Sequence, residues 1–446
     1  MKELPARSSG RATGTALVLA ALCGCQELLP VVESEDLTRP GFSIELILSF
    51  DEFAETARVY GGYGRASELA GGFVAHEFGG QSEGGGPRGP GLEAATLMRF
   101  GRYPRAAQVL DTTGTLRPDS SLTFLSGRVL ARFDTIGSVR EGPVEVVAHA
   151  LSEPWDGVSA TWEYSVDTVG HRVAWSRPGG GLVEEIASAV WDPETGDSVG
   201  IPVDSAWIAQ WADTTDLGRG VRLSTTTPGV RLRVTGSVLR LDTRPSVNPD
   251  TIIVLPAGPE ATTFIYAPAP SQPRKTLRVG GAPAWRTVLS IDIPRVLEGP
   301  GELCDAVGCP VEIGEDHVSF AALRLVTRAG ARAFAPSDTL SIDVRSVLAP
   351  QFLPKSPLGP SRLGLGGKWL SHELFEPPAG ELVEIALTSL VRDLLRGETA
   401  AGDPITNTVA LLSTFEPVSL EYHTFEGAAS PDAPGLRLIL NFSREN

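Results

Sequence analysis

Apolar and polar residues alternate along much of the chain. Val230-Arg231-Leu232-Arg233-Val234 and Leu436-Arg437-Leu438-Ile439-Leu440-Asn441-Phe442 place apolar groups at every second position. A strand with that period buries one face and wets the other. Val144-Glu145-Val146, Val221-Arg222-Leu223 and Ile342-Asp343-Val344 repeat it on a shorter scale. With 49 Gly and 35 Pro in the chain, the strands must be short and separated by turns, as in a sandwich or barrel. Residues 79–91 are so rich in glycine that an exposed, flexible loop is expected.

Two stretches break the alternation. In 204–211 and 388–395 the apolar positions fall three and four apart, after a Ser or Thr that can cap a helix. Each is followed by an apolar strand, 221–223 and 409–412, and each is preceded by similar strands, 95–104 and 286–294. This is a weak internal repeat, and about 400 residues suit two sandwiches of about 200 each. Pro245, Pro249, Pro256 and Gly258 cluster between the copies. The reading is an all-β protein: a first β-sandwich over 42–246 and a second over 250–446, both antiparallel, each with one short helix.

The N-terminus changes where this protein must be placed. Lys2, Arg7 and Arg11 precede the apolar run 16–22, which is too short to span a bilayer, and small residues follow. Leu22-Cys23-Gly24-Cys25 resembles the lipobox of bacterial lipoproteins, with Leu three positions and Gly one position before Cys25. The resemblance implies a signal peptide over 1–24 and acyl chains on Cys25, which together anchor the protein lastingly. Gln26 after the cysteine implies outer-membrane retention in the bacterial envelope. Residues 25–41 read as a tether. Loss of 1–24 takes the net charge from −16 to about −18, since three basic groups and one acid leave. Such a balance argues against nucleic acid as a partner. Cys304 and Cys309 remain, and an oxidising compartment favours a loop-closing disulfide between them.

Standard catalytic patterns fail on context. Gly196-Asp197-Ser198-Val199-Gly200 fits G-x-S-x-G, yet turn residues precede it and Ile201-Pro202-Val203 follows as a strand, so a hairpin explains it. His76, His149, His171, His317, His372 and His423 form no metal-ligand pair, and 364–368 leads into Trp369 where a phosphate loop needs Ser or Thr. No cofactor is implied, and a structural Ca²⁺ stays open. Six tryptophans lie between 155 and 211. Trp162, Trp207 and Trp211 read as core; Trp155 and Trp191 adjoin turns and are the candidates for stacking on sugar rings, with core packing as the competing explanation.

The order of these parts resembles the disaggregatase-related (DNRLRE-type) jelly-roll module of secreted and surface proteins. The residues concerned are Trp155-Asp156 with Thr161-Trp162 in the first copy; in the second, Leu277 to Gly280, Arg286 to Pro294, the strand-to-helix turn 387–391 and a last strand after Pro434. The resemblance implies two tandem jelly-roll-like sandwiches and a non-catalytic lipoprotein that binds extracellular or envelope polysaccharide. The alternative is a structural or assembly subunit whose partner is another envelope protein. A third reading, a carbohydrate-active hydrolase or lyase, requires two convergent carboxylates from distant parts of the chain.

Overall fold

The computed structural model describes residues 41–61, 71–80, 91–282, 284–299, 301–364, 366–414, 416 and 419–443. Cys25, the signal peptide, the tether up to residue 40 and residues 81–90 of the glycine-rich stretch lie outside them.

The protein is all-β, built from antiparallel strands in two bodies. The first is one continuous sheet. Its path runs through Val183–Trp191, Val144–Leu151, Val221–Thr225, Leu92–Phe100, Gly72–Phe78, Val230–Pro245, Leu122–Phe133 and Ser198–Val203. Turn 192–197 brings the two ends of this path together, so the sheet curls around its own core. That core holds Met98, Phe133, Val146, Trp191, Ile201, Leu223, Leu232 and Leu241, all nearly or fully buried. Val199, Ile201 and Val203 point in while their neighbours point out, which is the alternation in its plainest form.

The second body is two facing sheets. One contains Gly41–Leu48, Gly435–Ser443, Val318–Arg328, Leu382–Ala386, Tyr422–Glu426 and Thr276–Gly280. The other contains Ala54–Tyr60, Arg286–Ile291, Thr408–Ser413, Leu340–Val347, Leu358–Ser361 and Lys368–Leu370. Leu289, Leu323, Ile342, Ile385, Leu411, Phe425 and Leu438 fill the space between.

Strand pairing divides the chain differently from the boundary drawn at 246–250. Gly41–Leu48 pairs along its whole length with Gly435–Ser443, and Ala54–Tyr60 pairs with Arg286–Ile291, so the N-terminal strands complete the second body. Ile253–Ala257 and Pro259–Ala267 pair with Val230–Pro245 and Leu92–Phe100, so they belong to the first. The first body is thus inserted between Tyr60 and Thr276 of the second. The cluster of Pro245, Pro249, Pro256 and Gly258, read as a boundary between copies, lies within and between strands of the first body; a turn within a sheet and a link between bodies have the same composition.

The helices also differ in detail. Ser205–Trp211 is capped by Asp204, one residue before the expected serine, whose carboxylate accepts from the Ala206 and Trp207 amides. It buries Ile208 and Trp211. Thr388–Arg396 has no side-chain cap; the Thr388 hydroxyl accepts instead from the Ala321 amide at 3.0 Å, tying the helix to the sheet. It ends at Gly397, whose φ of 91° closes the last turn. The second body carries two more short helices, Phe50–Phe53 and Gly301–Val307, so one helix per body is not the pattern. A disulfide joins Cys304, within Gly301–Val307, to Cys309 just beyond its end.

Candidate functional site

The two bodies meet across an apolar seam. Phe73, Phe78, Leu92 and Phe264 of the first pack against Trp285, Phe334, Leu420 and Tyr422 of the second. Gly79, at φ +67°, lies so close to the second body that a Cβ there would sit 2.8 Å from the Ala333 amide nitrogen. Inside the seam, Arg231 and Glu421 form an ion pair at 2.6 Å with side chains only 1% and 3% exposed. Arg231 also donates to the carbonyls of Ala333 at 2.9 Å and Ala335 at 3.1 Å. Burial lowers the Arg231 pKa, and Glu421 opposes that shift. Ser337 contacts both the Glu421 carboxylate and the Gly137 carbonyl. Arg231 comes from an alternating strand where arginines were expected to face water; here the outer face of that strand is covered by the other body.

Beside the seam an open cleft of about 1270 Å³ runs between the bodies. The first body contributes 136–140 and Phe78. The second contributes 328–337 and 372–377, and connector 271–276 forms one wall. Arg140, Arg231, Arg274, Lys275, Arg328 and Arg332 line it, against one carboxylate among the described residues, Glu376. Arg328 pairs with Glu426 at 3.2 Å. Arg140 lies over the Trp191 ring at 5.0 Å, and its Nε is buried without a partner among the described residues. Arg332 lies over the Phe78 ring at 5.6 Å. At the floor, Thr424 is 3% exposed and its hydroxyl has no hydrogen-bond partner among the described residues. In a chain of net charge −16 this cleft gathers positive potential, and concave low-dielectric walls concentrate it.

The residues singled out for sugar stacking lie elsewhere and are not available. Trp191 is 1% exposed, packs on Phe133 at 4.7 Å and donates its indole N–H to the Gly196 carbonyl. Trp155 is 3% exposed. It lies on the outer face of the first sheet with Ala95, Leu97, Trp175 and Ile265, under the excursion 152–182. Arg99 covers its ring at 4.5 Å and donates to its carbonyl. Turn residues beside a tryptophan indicated a loop, but this loop folds back onto the sheet.

Ser198 opens strand Ser198–Val203, so the residues directly after it form a strand where a nucleophile elbow needs a helix. His423 is fully buried between Phe375 and Phe425, and burial takes its pKa down to about 3, so it is neutral. Among the described residues no group of three or more His, Cys, Asp or Glu converges as a metal site, and no helix is long and apolar enough to cross a membrane. Within the cleft, His372 and Glu376 approach to 3.7 Å.

The cationic cleft was not foreseen. Its arginines are separated by up to 192 residues and come from both bodies, and only the adjacent Arg274-Lys275 gives a local signal. Comparison of the sequence with protein-family models gives no match, and none of the curated proteins matches it.

Proposed function

We propose that this protein is a bacterial envelope lipoprotein, anchored through acyl chains on Cys25 in the outer membrane, that binds polysaccharide without catalysis. The binding site in this reading is the cleft between the bodies. The observation that carries it is an open groove of about 1270 Å³ whose two walls are held in register by a buried ion pair. A groove open at its ends admits a segment from within a long chain, whereas an enclosed pocket admits only a terminus or a small molecule. Rigid walls spare the entropy of ordering them on binding. The resemblance to DNRLRE-type modules points the same way. The non-catalytic part rests on the lining, where Glu376 is the one carboxylate among the described residues; glycoside hydrolysis by the common routes uses two flanking the scissile bond.

The test is affinity electrophoresis of the full chain, in detergent, through gels containing a panel of neutral and acidic polysaccharides. Retardation by at least one of them is expected, and it should be lost in Ala329→Trp, which puts an indole into the cleft from its rim. Retardation by none, or retardation that Ala329→Trp leaves intact in a folded protein, refutes the reading.

A further inference from the structure

A second hollow of about 420 Å³ lies on the other side of connector 271–276. Arg58, Tyr60 and Leu277 line it, and Arg274 and Lys275 line both hollows. Among the described residues no carboxylate lines the second hollow. Among the described residues, Arg58, Arg140, Arg274, Lys275 and Arg332 have no carboxylate partner, although Asp and Glu outnumber Lys and Arg by 54 to 38 in the chain. Other cations, such as Arg177 and Lys355, also lack a carboxylate partner among the described residues, but these five are gathered on two adjoining hollows whose described lining holds one carboxylate, Glu376.

We infer that the site takes an acidic polysaccharide, a polymer of carboxylated or sulfated sugars, laid from the large cleft across the 271–276 connector into the second hollow. This rests on the reading of the cleft as a polysaccharide site and gives that ligand its chemical class and its path. The connector is held at its start, where the Gln272 amide donates to the Val59 carbonyl at 2.8 Å and Arg278 donates to the Ser271 carbonyl at 2.6 Å, and its end enters strand Thr276–Gly280, where Thr276 pairs with Glu426. Arg274 and Lys275 are therefore presented on a fixed ridge. Guanidinium groups match carboxylate and sulfate oxygens two at a time, so several arginines suit an anion repeated along a chain. The unpartnered Thr424 hydroxyl at the cleft floor is a second, independent sign of a ligand, because a buried polar group without a partner costs stability unless something else satisfies it. Two hollows sharing a cationic ridge fit a chain better than a single small anion. Nucleic acid fits less well. Single strands want exposed aromatic platforms, and of the aromatic residues lining the two hollows Phe78 and Phe375 are buried, leaving Tyr60.

The full chain in detergent is titrated with polygalacturonate, chondroitin sulfate, dextran and duplex DNA, and with a galacturonate trisaccharide, at low and moderate salt. The inference expects polygalacturonate or chondroitin sulfate to bind with an affinity that falls as salt rises, and dextran not to bind. Arg274→Glu with Lys275→Glu should weaken the polymer by about tenfold or more. Arg58→Glu should weaken the polymer while leaving the trisaccharide unchanged, and Arg177→Glu, an exposed reversal elsewhere, should change nothing. These side chains are exposed or half-buried, so the variants should fold, and circular dichroism checks that they do. Which of the two acidic polymers binds more tightly distinguishes carboxylate from sulfate recognition. Equal binding of dextran overturns the inference while sparing the polysaccharide reading, and failure of every glycan overturns both. Tighter binding of DNA than of either acidic glycan overturns it in favour of nucleic acid.

Discussion

Replacing Arg231 with methionine removes the cation from the middle of the seam while keeping most of the side-chain length. In the folded protein it leaves the Glu421 carboxylate, 3% exposed, without its ion-pair partner, and it strands the carbonyls of Ala333 and Ala335. Breaking a buried pair from one side costs about 3 to 5 kcal/mol, because the remaining charge keeps its desolvation penalty and loses its compensation. The two stranded carbonyls add to that figure, so the upper end is expected. Replacing both residues, Arg231→Met with Glu421→Leu, removes the orphaned charge as well. The double variant should therefore be more stable than Arg231→Met alone, with a coupling of at least about 2 kcal/mol. Urea unfolding followed by circular dichroism gives all four corners of the cycle, and calorimetry adds a second reading. The seam makes the two bodies unfold together, so the parent should show one heat-absorption peak and Arg231→Met a broadened or split one. A single-variant cost under about 1 kcal/mol, or a double variant as damaged as the sum of the singles, would refute the argument that this pair is a desolvated, mutually dependent unit.

Other expectations follow from the same structure. His423 has a folded pKa of about 3 against an ordinary value of 6.5, so the unfolded chain binds its proton first as pH falls. Its contribution is complete above about pH 6.5 and is lost on acidification; between about pH 7 and about pH 4.5 the parent should lose about 2 to 3 kcal/mol more than His423→Leu, measured by denaturant titration at each pH. Equal slopes would mean the imidazole is not buried neutral. Trp191→Ala should destabilise by about 3 to 5 kcal/mol, as truncation of a large buried aromatic does, and any loss of glycan binding should track loss of fold rather than occur in a folded protein. Gly79→Ala should lower the melting temperature, since a Cβ there meets the Ala333 amide nitrogen at 2.8 Å and φ is +67°; an unchanged temperature would show that the seam gives way easily.

The features legible in the sequence were the ones decided by neighbours along the chain. Val199, Ile201 and Val203 announce a half-buried strand by their spacing, and they are buried as the spacing requires. The apolar spacing at 204–211 announces a helix, and Asp204 caps it. What could not be read was decided by distant partners. Nothing in 41–48 says that this strand pairs with 435–443, because many apolar strands would fit beside it equally well. Trp155 sits beside Pro154 and Asp156-Gly157, the surroundings of an exposed turn, yet its loop returns to the sheet and covers it. Arg231 looked like one of the wetted arginines of an alternating strand; the charge that neutralises it lies 190 residues away in the other body. A cleft between two bodies has no pattern in either one.

The pairing of Gly41–Leu48 with Gly435–Ser443 also sets an order on assembly. Ser43 and Asn441, which are hydrogen-bonded, are 398 residues apart. Every strand of the first body lies within 72–267, so that body has all its parts while the chain is still emerging. Gly41–Leu48, by contrast, lies at the edge of its sheet beside Gly435–Ser443, and so waits with both edges unpaired until the whole inserted body and most of the second have followed. Contacts of such long range form late, and an unpaired strand edge is a template for pairing with other chains in the meantime. The interval between the first body closing and the last strand arriving is when this protein most needs protection from its own copies, and its length is set by the size of the insertion.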